Sequence, residues 1–196
     1  MNSGARIRKL PPAALDKEQR SLYDAITGGR RAQGRELFRL VDDEGRLEGP
    51  FNAFLLQPRL GLALQALGSS VRYETGLDNR CREIAILVVA AHLRSDFERY
   101  AHEAVGRASG LDDEELAALR TGDHAVFVGR EAVVARTTAV LVSESDLDDA
   151  EYDAAVTELG EAGLFEILTL VGYYSALALQ LRVFRVSSPT RDLPPS

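Results

Sequence analysis

The chain has 196 residues, of which 45% are hydrophobic and 27% charged, a balance ordinary for one soluble globular domain with its own core. Its formal net charge of -7 argues against nucleic acid or an anionic membrane as a partner, because both need a broad basic surface. A small anionic ligand remains compatible, since it needs only a local excess of arginines such as Arg30, Arg31, Arg35 and Arg39.

The single cysteine, Cys81, excludes an internal disulfide and a zinc site built from several cysteines. Residues 1–19 contain no apolar core of a secretion signal, so we expect a cytoplasmic protein. Residues 164–181 approach the length of a membrane span, but Glu166 and Gln180 make that placement costly. We expect a helix buried in the core or against another subunit, and no membrane partner.

In the first third of the chain, Asp16 is placed to cap a helix that extends to about Thr27. Residues 37–51 contain two short apolar runs around DDEG, which predict either a small hairpin or an ordered loop. A second helix is predicted from Gln57 to a point before Gly76. The apolar stripe expected on it comprises Leu60, Leu64, Leu67 and Val71.

A helical hairpin is predicted in the middle of the chain. Asp78 is typical of an N-cap, and the helix after it should continue to about His92. Following a break at Leu93 and Arg94, the next helix should begin at Ser95 and stop at Gly110.

Four further segments complete the helical pattern. A capping-box signature opens a helix over residues 112–122, an amphipathic stretch covers 130–142, and a second box opens a helix over 148–163, ending at Gly160 or Gly163. An apolar helix then covers about 164–186. We therefore predict an all-α fold of seven or eight helices, with one domain over residues 1–186 and a disordered tail over 187–196.

The stretch SDFERYAH, residues 95–102, permits two interpretations. On a helix, Glu98 and His102 lie one turn apart on a common face, so the two side chains can act together in proton transfer. Ser95 and Glu98 also fit the S-x-x-E capping box, which satisfies backbone N–H groups and needs no ligand. The sequence alone does not decide between these two interpretations.

Three stretches closely resemble the carboxymuconolactone decarboxylase family, whose fold is called AhpD-like. They are GRLEGPFNAFLLQPRLG (45–61), RCREIAILVVAAHLRSDFERYAHEAVGRASGL (80–111) and LFEILTLVGYYSALA (164–178). The resemblance covers about residues 22–183. It implies an all-helical, AhpD-like domain with an antiparallel helical hairpin at its core, assembled as a homo-oligomer that is commonly a trimer or hexamer.

Redox members of that family carry C-x-x-C-x-x-x-H on the second hairpin helix and a glutamate on the first. Here Ser95 and Glu98 stand at the two cysteine positions, while His102 and Glu83 match the histidine and the glutamate. Thiol peroxidase chemistry needs an attacking thiolate and a resolving thiol. Cys81 cannot fill both roles, so this branch of the family lacks the redox motif.

The decarboxylase-like branch implies a reaction without an external cofactor or metal, because a conjugated lactone is its own electron sink. His102 suits proton transfer, with Glu98 and Glu83 assisting. Arginines are expected to hold a carboxylate or lactone oxygen, and a tyrosine hydroxyl can donate to a ligand. The residues expected near the substrate are Arg80, Arg82, Arg94, Ser95, Phe51, Asn52 and Tyr173.

Three hypotheses follow. The first is a cofactor-independent lyase or isomerase that acts on a small carboxylated or lactone-like substrate by decarboxylation, double-bond shift or cyclisation. The second is a non-catalytic oligomer that binds a small molecule or serves assembly. The third, thiol-dependent redox chemistry through Cys81, predicts that Cys81→Ala loses activity, and we expect no such loss. Convergence of Glu83, Glu98 and His102 on a cavity favours the enzyme, whereas Glu98 folded back on Ser95 with His102 in solvent favours the second hypothesis.

Overall fold

A computed structural model describes residues 4–33, 36–186 and 188–189, and in these ranges the secondary structure is helical, without strands. The α-helices are α1 Lys17–Thr27, α2 Pro50–Phe54, α3 Pro58–Tyr73, α4 Asn79–His92, α5 Asp96–Ala108, α6 Asp113–Thr121, α7 Gly129–Glu144 and α8 Asp149–Phe184. The predicted all-α, AhpD-like class is confirmed. Of the predicted disordered tail, 187–196, all but Ser188 and Pro189 lies outside the described residues.

Capping chemistry sets several helix ends where the sequence predicts them. Asp16 accepts the backbone N–H of Gln19 at 2.8 Å, and the Gln19 side chain accepts the N–H of Asp16 in return. Asp112 and Asp148 open α6 and α8 with the same reciprocal arrangement. These bonds satisfy N–H groups that the first helical turn leaves without partners.

Residues 37–49 form a tight turn held by one β-bridge, between Val41 and Leu47. The N–H of Asp42 donates to Arg46 O, and that of Glu48 donates to Leu40 O. The sequence predicts either a small hairpin or an ordered loop for this segment, and the observed turn agrees with that prediction. The short helix α2, which follows it directly, is not among the predicted elements.

The buried face of α3 differs from the predicted leucine stripe. Its buried residues include Gly61, Gly68 and Val71, whereas Leu60 and Leu67 are exposed. A Cβ added at Gly61 would lie 2.7 Å from Leu22 Cδ2 and 2.7 Å from Phe54 O. The helix therefore packs closely through its glycines, with Leu64 partly buried against the core and Leu60 and Leu67 facing outward.

The helix α8 is interrupted at Gly160, whose φ of 71° and ψ of 165° are not helical. This agrees with the predicted stop at Gly160 or Gly163. Tyr173, Tyr174 and Leu177 are among the buried residues of its C-terminal part. By length and composition alone α8 is also able to cross a membrane, a property that the core helices of soluble proteins share.

The core surrounds α4, which packs against α5, α7 and α8. Every residue from Cys81 to Ala90 is buried, so this helix is covered on all sides. Glu166 on α8 accepts the backbone N–H groups of Gly76 and Leu77 at 2.7 and 2.9 Å. This carboxylate links α8 to the loop that leads into α4.

Candidate active site

Glu83 lies in the second turn of α4 with 2% of its surface exposed. Its Oε2 atom lies 2.6 Å from Nδ1 of His102, which α5 contributes from the other arm of the hairpin. His102 is also buried, with 3% of its surface exposed. A carboxylate and an imidazole are thus paired inside the protein, where water screens their interaction little.

Glu98 lies one turn before His102 on α5 and is likewise buried. Its Oε2 atom is 3.4 Å from Nε2 of His102, so the imidazole stands between two carboxyl groups. The Oε1 atom of Glu98 is buried and has no hydrogen-bond partner. Such an acceptor is available to a ligand, since leaving it unpaired carries a free-energy cost.

The capping-box interpretation of Ser95 and Glu98 is wrong in this structure. Ser95 is the N-cap of α5, but its side chain makes no capping hydrogen bond. Its Oγ atom is buried and unpaired. Glu98 points to His102 instead of back to the start of the helix.

The electrostatics of the pair favour an imidazolium beside a carboxylate. Burial alone would lower the pKa of His102, but the charge and hydrogen bond of Glu83, and then Glu98, outweigh it and raise that pKa above its usual 6.5. Burial would likewise raise the pKa of Glu83, whereas His102, Arg72 and Arg82 hold it below its usual 4.5. The charged form of His102 is therefore favoured more than in a free imidazole.

Two tyrosines of α8 complete this region. The ring of Tyr174 meets His102 edge to face, with centroids 5.2 Å apart, and Tyr173 meets Tyr174 in the same way at 5.2 Å. Burial raises the pKa of Tyr174, so its hydroxyl stays protonated. An uncharged phenol at this point can donate a hydrogen bond to a ligand oxygen.

These groups face a small, partly open hollow of about 20 Å³, which is room for about one water molecule. Glu98 and His102 line it, whereas Glu83 lies behind the imidazole. The other lining residues are Phe38, Pro50, Phe51, Arg72, Phe97, Ala101, Tyr173, Tyr174 and Leu177. The walls are thus mainly apolar, and the polar groups converge on one side.

Phe51 and Tyr173, both expected near the substrate, line this hollow. Ser95 is buried at the start of α5 but is not in the lining. Asn52 also lies elsewhere, since its Nδ2 donates to Arg8 O at 3.4 Å and it borders a separate cleft with Lys9.

The three predicted arginines do not reach the hollow. Arg80 is held by Glu131 at 2.7 Å and Glu115 at 2.6 Å, which ties α4 to α7 and α6. Arg82 is buried and donates to Asn79 Oδ1 and Leu77 O, so it braces the loop before α4. Arg94 is an exposed residue with φ of 52° between α4 and α5.

Arg72, near the end of α3, is the arginine that lines the hollow. Burial opposes its charge, but Tyr174, Glu83 and Tyr73 favour it, and the pKa of the guanidinium is raised. Arg72 was not identified from the sequence, because only the apolar positions of this helix were considered, the last of which is Val71. No local motif distinguishes it from the solvated arginines of the chain.

Cys81 is buried in the first turn of α4 and its backbone N–H is capped by Asp78. Burial and the nearby Asp78 raise the pKa of the thiol to about 12. A thiol needs its thiolate form to attack a peroxide, so Cys81 is unreactive at neutral pH. Among the described residues, no three or more His, Cys, Asp or Glu side chains are grouped to hold a metal ion.

Solved structures with the same architecture are AhpD-like proteins. A peroxidase-related protein with an alkylhydroperoxidase AhpD core from Ralstonia eutropha JMP134 superposes with a TM-score of 0.75 at 12% identity, over 95% of this chain and 93% of that one. A protein of unknown function from Agrobacterium tumefaciens, suggested to be the antioxidant defence protein AhpD, gives 0.63 at 18% identity, over 71% and 97%. A search of curated proteins found no match.

These likenesses establish the class, an AhpD-like helical fold. The model of the carboxymuconolactone decarboxylase family matches residues 58–141, a range that includes Glu83, Glu98 and His102. The resemblance seen in the sequence is confirmed over this central segment.

Proposed function

We propose that the protein is a cofactor-independent lyase or isomerase that moves protons on a small carboxylated or lactone-like substrate. The observation that carries the proposal is the buried series Glu83, His102 and Glu98, whose last two members face an apolar hollow. Burying three ionisable groups costs stability, and such groups are often retained for chemistry.

In this proposal His102 is the proton donor and acceptor. Glu83 holds Nδ1, which fixes the orientation of the ring and leaves Nε2 directed to Glu98. The unpaired Oε1 of Glu98 can receive a proton from a substrate carbon while Oε2 exchanges it with the imidazole. A raised pKa of His102 keeps the donor form populated near neutral pH.

The two reaction types use the same groups. In a double-bond shift, Glu98 removes a proton from one carbon, the electron pair spreads into a conjugated carbonyl, and His102 returns a proton to another carbon. In a decarboxylation, the bond to the carboxylate carbon breaks, its electron pair enters the same conjugated system, and His102 protonates the carbon after carbon dioxide leaves. The hydroxyl of Tyr174 can stabilise the dienolate oxygen.

The absence of the redox motif supports this choice over peroxidase chemistry. Ser95 and Glu98 occupy the two cysteine positions of redox relatives, and Cys81, the single thiol of the chain, has a strongly raised pKa. Neither thiolate attack nor disulfide formation within one chain is then available.

The competing function is non-catalytic ligand binding, for which the unpaired Oε1 of Glu98 would be a ligand contact and not a base. About 20 Å³ holds no organic substrate, so turnover requires the walls to part. The two functions differ in the fate of the bound molecule. An enzyme converts it by proton transfer, whereas a binding protein releases it unchanged.

A metabolite screen tests the proposal. The wild-type protein, His102→Gln and Glu98→Gln are each incubated with a small-molecule extract in D₂O, and products are measured by mass spectrometry. We expect a compound that loses the mass of carbon dioxide, or that keeps its elemental skeleton but becomes heavier by the exchange of hydrogen for deuterium, with the wild type alone. A matched control is Glu103→Gln, whose carboxylate pairs with Arg120 outside the hollow at 2.6 Å. Identical mass spectra for wild type and His102→Gln would contradict the proposal.

A further inference from the structure

A second, larger cavity adjoins the hollow. This groove, here called the Arg72 groove, has a volume of about 490 Å³ and lies between the segment around Phe38 and the end of α3. Arg72 and Phe38 line both cavities, so these two side chains form the boundary between them. The groove is large enough for a small organic molecule, whereas the hollow is not.

Arg72 has a donor without an acceptor in this boundary. Its Nε atom is buried and makes no hydrogen bond. Arg80 and Arg120 donate from Nε to Glu131 and Glu103. The Nε of Arg82 is also buried and unpaired, but the terminal nitrogens of Arg82 donate to Asn79 and Leu77. A buried N–H of a charged group without an acceptor is costly, and a ligand oxygen removes that cost.

The rest of the groove suits an organic acid. Arg30 lies over the ring of Tyr73 at 4.7 Å, and Arg72 lies 5.7 Å from the same ring, so two guanidinium groups flank one aromatic face. Leu40, Val41 and Val105 provide apolar wall. Glu36 contributes one carboxylate, which leaves the arginines in excess.

We propose that Arg72 binds the carboxylate of a small unsaturated acid through its Nε–H, with the apolar part of the acid in the Arg72 groove. This inference rests on the proposed function, because it places the bound carboxylate at the boundary of the hollow that contains His102 and Glu98. A guanidinium edge matches the two oxygens of a carboxylate in geometry as well as charge. Arg30 adds attraction at the exposed mouth.

The test uses sorbate, a flat conjugated six-carbon acid, and sorbamide, which has the same skeleton with a neutral amide. Binding is followed by NMR titration of the full chain. Sorbate should bind the wild type, and Arg72→Gln should weaken this binding about tenfold to a hundredfold, as loss of a charge-assisted hydrogen bond does. Sorbamide should bind both proteins weakly and equally.

The Nε–H resonance of Arg72, identified by its absence from Arg72→Gln, gives a direct readout. It should move on addition of sorbate and stay in place with sorbamide. Arg59→Gln is the matched control, since Arg59 is on the same helix but pairs with Glu18 in solvent. It should bind sorbate as the wild type does.

If Arg72→Gln does not fold, Arg30→Gln replaces it, because Arg30 is exposed and its loss leaves the core intact. That variant should weaken sorbate binding about twofold to threefold, as expected for a solvent-screened charge. Equal affinity of sorbate and sorbamide for the wild type, or no binding of sorbate, overturns the inference. His102→Gln should still bind sorbate, so loss of turnover and loss of binding are separable.

Discussion

The Nδ1 atom of His102 lies 2.6 Å from Oε2 of Glu83, although the two residues come from different helices and both are buried. This contact joins the two arms of the α4 and α5 hairpin by a polar pair inside an apolar core. Its consequences can be measured in the protonation of His102 and in the stability of the fold.

Replacing Glu83 with Gln should lower the pKa of His102. The negative charge that raises this pKa is removed while burial, which lowers it, remains. We expect the pKa to fall from above 6.5 to that value or below, measured by NMR titration of the imidazole Cε1–H. Glu103→Gln changes the adjacent residue, which pairs with Arg120, and should leave the titration unchanged. An unaltered pKa in Glu83→Gln would show that the pair is not formed in solution.

The same pair predicts how stability depends on pH. The pKa of His102 is raised in the folded state, so its contribution is fully present below 6.5 and is lost as pH rises through the folded pKa. The pKa of Glu83 is lowered, so its contribution is present above 4.5 and is lost as pH falls through the folded pKa. Wild type should therefore exceed Glu83→Gln most between these two values, by about 2 kcal/mol in free energy of unfolding. Urea denaturation across the pH range measures this difference, and a constant difference would contradict the assignment.

Gly49 should not tolerate alanine. Its φ of 57° favours glycine, and an added Cβ would overlap the ring of Phe97, which lines the hollow. We expect Gly49→Ala to lower the free energy of unfolding by about 3 kcal/mol, from strain and overpacking together. Gly129 has the same φ, with nothing within 4 Å of an added Cβ, so Gly129→Ala isolates the strain of about 1 kcal/mol. Equal losses in thermal or urea unfolding would mean that Phe97 moves aside freely.

Cys81→Ala should leave any turnover unchanged. The thiol is buried and its pKa is raised to about 12, so almost no thiolate exists at neutral pH. The reaction of the native protein with Ellman's reagent should be slow, and it should become fast after unfolding in urea. Rapid labelling of the native protein, or a loss of activity in Cys81→Ala with the fold intact, would restore thiol chemistry as an explanation.

We also propose that the chain forms a homo-oligomer, as the family resemblance implies. Leu60 is 57% exposed and Leu56 is 59% exposed beside it, which is unusual for a surface that meets only water. Leu60→Glu should shift the molar mass in light scattering toward that of one chain. Val128→Glu is a matched control because Val128, at 79% exposure, is an exposed apolar residue on a different element, at the N-cap of α7. A wild type that already has the mass of one chain would contradict the proposal.

Local signals in the sequence predicted much of the fold. Capping boxes such as that of Asp112 and Glu115 act within one turn, so their residues determine a helix start without help from the rest of the chain. The hairpin that brings Glu83 to His102 follows from two neighbouring helices with a short connection. This part of the site could be predicted because it depends on adjacent elements.

Other features depend on contacts distant in the chain. The apolar stripe of α3 predicts inward leucines, but Gly61 packs against Phe54 and Leu22, which turns Leu60 outward. Arg80 was expected at the substrate, yet Glu115 and Glu131 hold it elsewhere. Arg72 reaches the hollow only because α3 packs against α8. Such placements follow from tertiary packing, which residue type and spacing do not encode.

The carboxylate of Glu166 holds the amides of Gly76 and Leu77, just ahead of α4, while Tyr173 follows about two turns later on the same helix. The register between the tyrosine-bearing helix and the helix of Glu83 is therefore held in part by one peripheral side chain, with Arg182 bonded to Leu93 O at the other end of α4. Glu166→Gln would keep the shape of this side chain but weaken its bonds to the two amides. A shift of α8 along α4 would then change the distance between Tyr173 and Glu83, although Glu166 contacts neither of them.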